Sequence, residues 1–138
     1  MRPINPAGLH PPRGYSHGIL GEGRILCVAG QIGWNQSGEL ISDRFVDQFD
    51  QALANILQVV TDAGGTAQSI ARLTIYVVDT HEYMDVTAEL GRRYRARMGS
   101  HYPAMTLVEV KGLLEPGARV EIEATAIIDS RADHTPRS

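Results

Sequence analysis

Arg119-Val120-Glu121-Ile122-Glu123-Ala124-Thr125-Ala126 decides the fold. Val120, Ile122, Ala124 and Ala126 fall on one face, and Arg119, Glu121, Glu123 and Thr125 on the other. That is the two-residue period of a β-strand. The apolar face needs a layer of helices packed on it. The polar face then lies on the far side of the sheet. Residues two apart in a strand stand about 7 Å from each other, so Arg119, Glu121 and Glu123 form a charged ladder.

The neighbouring strands sharpen this. Ile70–Val78 is β-branched and apolar, with Thr74, Tyr76 and Val78 alternating with Leu73, Ile75 and Val77. In Ala104–Val110, Met105, Leu107 and Glu109 alternate with Thr106, Val108 and Val110. Neither strand has a plainly wet side. A sheet apolar on both faces, with helices enough for one, is expected to cover the other by association. The carboxylate ladder is then in or near a subunit boundary.

Two segments carry helical spacing. Phe45, Phe49, Ala52, Leu53, Ile56, Leu57 and Val60 recur at threes and fours, and Gly64-Gly65 supplies the stop. Asp79-Thr80-His81-Glu82 has the form of a capping box, with Glu82 reaching back. The helix after it presents Tyr83, Val86, Leu90, Tyr94 and Met98 on one face and ends at Gly99. Arg92, Arg93, Arg95 and Arg97 read as its solvated outer face. Upstream, Tyr15–Leu20 and Arg24–Gly33 read as a hairpin turned at Gly21-Glu22-Gly23. Residues 1–13, with Pro3, Pro6, Pro11 and Pro12, read as an irregular lead-in. The predicted order is β-β-α-β-α-β-β, an α+β domain with one mixed sheet and two helices on one face.

A chain of 138 residues supports one domain. We expect residues 1–138 to form it, with an ordered core over about 5–128 and a flexible tail over 129–138. The hydrophobic share of 43% is that of a globular protein, and the net charge of −3 argues against a dedicated nucleic-acid binder. Cys27, the only cysteine, sits in Ile25-Leu26-Cys27-Val28-Ala29 and reads as a buried small hydrophobe. One cysteine, no leader and no apolar run near the ~20 residues of a membrane span lead to the expectation of a cytoplasmic protein. His10, His81, His101 and His134 are scattered, so no metal site is expected.

Four motifs, taken with this order, resemble the RidA family of YjgF-like, reactive-intermediate deaminases. They are Gly14-Tyr15-Ser16-His17-Gly18, Val28-Ala29-Gly30-Gln31-Ile32, Tyr102-Pro103-Ala104 and Val120-Glu121-Ile122-Glu123-Ala124. Asn55 and Ala63-Gly64-Gly65 also match the family's first helix and its glycine stop. The resemblance covers about residues 5–128. It implies a chorismate-mutase-like fold and a homotrimer, in which three sheets form a central barrel and small-molecule clefts lie between subunits. It also implies cofactor-free hydrolysis of short-lived enamines and imines to 2-keto acids and ammonia.

The resemblance further implies site residues. Glu121 matches the water-holding glutamate, and Tyr15 the cleft tyrosine. Ala29 and Gly30 match the second-strand backbone lining the cleft. Thr87 falls where active members often carry asparagine. Met105 stands where deaminating members carry the arginine that forks the substrate carboxylate, and a thioether cannot hold a carboxylate. Arg119, two positions before Glu121, and Arg13, just before Tyr15, are candidate substitutes. His17, on the face of Tyr15, is a candidate acid/base group. Two readings follow: a deaminase-like hydrolase whose substrate is not a simple 2-imino acid, or a non-catalytic trimer that binds a small metabolite or another protein. Although some members carry ribonuclease labels, no paired-histidine nuclease site is present in the sequence.

Overall fold

The computed structural model describes residues 1–130. Six strands are present: β1 (Arg2–Ile4), β2 (Gly18–Leu20), β3 (Arg24–Gln31), β4 (Ile70–Val77), β5 (Ala104–Glu109) and β6 (Val120–Ile128). Three α-helices accompany them: α1 (Phe45–Asp62), α2 (Thr80–Met84) and α3 (Thr87–Met98). The fold is α+β. Its main sheet has the order β3-β6-β4-β5 and is mixed, because β4 and β5 run parallel while β6 is antiparallel to both neighbours. Of the expected tail, Asp129 and Ser130 are described; the rest lies outside the described residues.

The alternation in β6 sorts the sheet's two faces. Val120, Ile122, Ala124, Ala126 and Ile128 are buried. Across the ladder they meet Val77, Ile75 and Leu73 of β4, and this face packs under α1 with Leu53, Ile56 and Val60. A fully buried side chain of this size contributes about 1.5–3 kcal/mol, so this layer carries most of the stability. The opposite face carries Ile25, Cys27, Thr74, Tyr76, Thr106 and Val108, with Glu121 and Glu123 among them. Ile25 is 73% exposed there. Cys27 is exposed on this open face, paired with Thr125, rather than buried as expected; its parity in β3 turns it away from the helices.

The N-terminal hairpin is corrected. β2 pairs with β1, with Arg2 opposite Leu20 and Ile4 opposite Gly18, and not with β3. Part of the expected lead-in is therefore a strand. The cause is topological. Ser16 bridges Ala104 at the start of β5, and β3 and β5 are opposite edges of the sheet. A chain anchored at one edge cannot also form a tight hairpin with the other.

The second predicted helix is two. It breaks at Val86, whose φ of −124° and ψ of 22° are not helical. Asp79 does cap α2, accepting from the His81 amide at 2.9 Å. Glu82 does not close the box, because its carboxylate turns to Arg119. Gly64, at φ 92°, takes the positive φ that ends α1.

Candidate functional site

On the open face, β3 departs from regular pairing between Val28 and Gln31, so Ala29 and Gly30 form a bulge opposite β6. Glu121 points into it. A Cβ on Gly30 would collide with the Glu121 carboxylate, and its Cδ would be 2.8 Å away. The glycine leaves room for the Glu121 carboxylate by close approach, not by φ. The two carboxylates of the ladder then diverge. Glu123 accepts a hydrogen bond of 2.5 Å from the Tyr76 hydroxyl. That bond, with the charge of the ladder, holds the Tyr76 pKa above its ordinary value, so the hydroxyl stays a donor. Glu121 has no hydrogen-bond or ion-pair partner among the described residues.

Arg119 does not complete the ladder. Its Nη1 donates to Glu82 Oε2 at 2.8 Å and its Nε to the Asp43 carbonyl at 2.7 Å. Its amide donates to Oε1 of Gln48, a fully buried amide that also donates to the Ser42 and Gly117 carbonyls. Gln48 thus fixes the approach to β6 from inside the core. Asn55 does the same for the exit from β3, donating to the Ile32 and Trp34 carbonyls.

Tyr15, Thr87 and Met105 lie on the other side of the sheet. They meet in a groove of about 580 Å³ between α3 and β5, with Arg13 at its edge. Met105 pairs with Leu73 in register and packs against the core. Tyr15 is positioned by Ser16, whose hydroxyl donates to the Tyr102 carbonyl at 2.6 Å and whose amide donates to the Pro103 carbonyl at 3.0 Å. His17 stacks edge-on to Tyr15 at 5.4 Å, but its Nε2 is 2.6 Å from the His10 carbonyl and it is not part of the groove lining. A second depression of about 850 Å³ beside β1 and β2 shares Tyr15 and Tyr102 with the groove but is lined by neither Glu121 nor Met105. One chain therefore places Ala29, Gly30 and Glu121 on one face of the sheet and Tyr15, Thr87 and Met105 on the other, with His17 and Arg119 engaged outside both groups.

The groove is also lined by Arg95, which the sequence reading placed on the outer face of the helix. Thr87, Gly91 and Arg95, spaced at i, i+4 and i+8, form one edge of it. That spacing was the available signal. The basic stretch on α3 is exposed at Arg92, Arg95 and Arg97, as expected, and half-buried at Arg93, but its arginines are engaged differently. Arg93 bonds Asp47 and Glu89, each within 2.9 Å, and Arg97 bonds Asp50 at 2.6 Å, clamping α3 to α1. Among the described residues no three His, Cys, Asp or Glu side chains come together as a metal-binding group, and no helix is long and apolar enough to cross a membrane.

The Endoribonuclease L-PSP family profile matches residues 7–128. The human 2-iminobutanoate/2-iminopropanoate deaminase is 32% identical over 114 residues, 82% of this chain and 79% of the human protein. A RutC family protein of Haemophilus influenzae is 34% identical over 106 residues, 76% of this chain and 80% of that protein. Among solved structures, a protein of the conserved Rid family from Yersinia pestis superposes with a TM-score of 0.82 at 36% identity, covering 92% of this chain and 98% of that one. The fold is the chorismate-mutase-like one, and by profile, sequence and structure alike the chain belongs to the RidA/YjgF family.

Proposed function

We propose that this chain is a cofactor-free deaminase that hydrolyses an enamine- or imine-type metabolite at clefts between the subunits of a homotrimer, with Glu121 holding the attacking water. The observation that carries the reading is the split of the site. Glu121 over Gly30 lies on the open face, while Tyr15, Thr87 and Met105 line a groove on the helical face. A second copy whose groove abuts the open face completes the site. The deaminase activity named for the human relative supports the chemistry.

An enamine first takes a proton on carbon from solvent and gives one up from nitrogen, becoming the imine. Water on Glu121 then attacks the imine carbon, giving its proton to the carboxylate as the C–O bond forms and the C=N π pair moves to nitrogen. Glu121 returns the proton to nitrogen. The hydroxyl proton of the resulting carbinolamine then passes through Glu121 to nitrogen as the C–N bond breaks, so ammonia leaves, the carbonyl closes, and imine plus water gives ketone plus ammonia. Glu121 suits the task better than Glu123, which is engaged by Tyr76.

The test is a coupled assay in which a serine dehydratase generates 2-aminoacrylate and an amino-acid oxidase generates the imine of phenylalanine. The expected result is faster keto-acid release from at least one imine, falling by about 100-fold or more in Glu121→Gln, the usual range for a lost general base. No acceleration of either at stoichiometric protein overturns the proposal. Met105 favours a second reading, a non-catalytic trimer that binds a small metabolite or a protein, because its side chain gives the groove an apolar floor where the carboxylate fork would stand.

A further inference from the structure

Arg95 differs from the two α3 arginines that clamp the helix to α1. Arg93 and Arg97 are bonded to the acidic side chains of α1. Arg95 has no hydrogen-bond or ion-pair partner among the described residues. It folds back along the helix instead. A Cβ on Gly91 would stand 3.2 Å from its Nη1 and 3.9 Å from its Cζ. The guanidinium therefore lies over the bare backbone of Gly91, one turn from Thr87, at the solvent-exposed rim of the groove that Met105 floors.

The lining of that groove fixes what it takes. Its charged side chains are Arg13 and Arg95, with no carboxylate among the described lining residues. The remainder is dominated by aromatic and aliphatic groups. Tyr94 and Tyr102 stack at 5.5 Å with an interplanar angle of 11°. Tyr94 is held there by donating to the His101 carbonyl at 2.8 Å. Tyr83 and Leu107 continue the apolar wall. A pocket lined by two guanidinium groups with no bonding partner among the described residues and by fixed rings matches a carboxylate that carries a large apolar group.

We propose that Arg95 is the carboxylate anchor of this groove, in place of the arginine that Met105 displaces, and that the ligand is a 2-oxo or 2-imino acid with an aromatic or similarly large apolar side chain. The proposal deepens the deaminase reading by naming its substrate class, and it is separable from it. The side chain of the ligand lies against Met105 and the tyrosines. The carboxylate meets Arg95 at the α3 edge, with the Thr87 hydroxyl one turn away.

The experiment is calorimetric titration of the full chain with phenylpyruvate and with pyruvate. Phenylpyruvate binds more tightly than pyruvate by about tenfold or more. Arg95→Ala weakens it by about tenfold or more, the loss expected for one charge-assisted pair, while Arg95→Lys keeps part of the affinity. Arg92→Ala, a change on the exposed side of the same helix, leaves binding unchanged. Equal affinity for the two acids, no phenylpyruvate binding, or dependence on Arg13 but not on Arg95 overturns the proposal. Binding that depends on Arg95 without imine hydrolysis upholds it and defeats the deaminase reading. Hydrolysis of 2-iminopropanoate that phenylpyruvate fails to inhibit defeats this proposal alone.

Discussion

The carboxylate of Glu121 fills the space that a side chain at Gly30 would need. The β3 bulge brings the two strands into this contact, so the carboxylate is positioned by backbone and not by a partner side chain. Gly30→Ala tests the arrangement. Gly30 has no positive φ, so alanine fits its backbone, and the atoms it meets are the mobile end of a side chain. Stability should change by less than about 1 kcal/mol. Imine hydrolysis should fall by about 100-fold, because a displacement near 1 Å of a catalytic group costs that much. Urea unfolding and the coupled assay on the same preparation separate the two. A variant that keeps its activity would mean that the placement of Glu121 does not matter.

Much of the fold is legible in the sequence because its signals are local. The alternation of β6, the threes and fours of α1 and the glycine at 64 each act within a few residues. What was not legible depends on partners far along the chain. Whether Tyr15–Leu20 pairs with β3 is decided by Ser16 meeting Ala104 at the opposite edge of the sheet. Glu82 leaves its capping box because Arg119, 37 residues away, reaches it. The site shows the same division. Glu121, Gly30 and Tyr15 are carried by motifs. Arg95 is hidden within four arginines of one helix, and only the positions of Asp47 and Asp50 on α1 show that Arg93 and Arg97 are engaged and Arg95 is not.

The α1–α3 clamp should make stability depend on acid. The Ser42 hydroxyl donates to Asp47, and together with Arg93 and Arg44 this holds the carboxyl below its ordinary value against the opposing effect of burial. A carboxyl whose pKa is lower in the folded chain contributes stability that is fully present above the unfolded value of 3.8 and lost as pH falls through the folded value. Asp47→Asn should therefore be less stable than the parent at neutral pH, and the gap should close as the pH falls below 3.8 and through the lowered folded-state pKa. Urea midpoints measured across that range check the sign. A gap that is constant with pH would mean that Asp47 acts by packing and not by charge.

The open face gives the assembly its own readout. Ile25 is 73% exposed and Val108 40% exposed in the single chain, and Cys27 stands on the same face. Leaving such side chains in water forgoes about 25 cal/mol for each Å² that association could bury, and the proposed deaminase site is complete only with a neighbour. Light scattering should give a mass three times that of the chain. Cys27 should react with an aromatic disulfide reagent far more slowly in the assembled protein than after dissociation in mild denaturant, because contact with a second sheet excludes the reagent. The two measurements constrain each other. A monomeric mass with Cys27 reacting as fast as free cysteine would leave Glu121 facing solvent, and the split site could then not close in the way the deaminase reading requires.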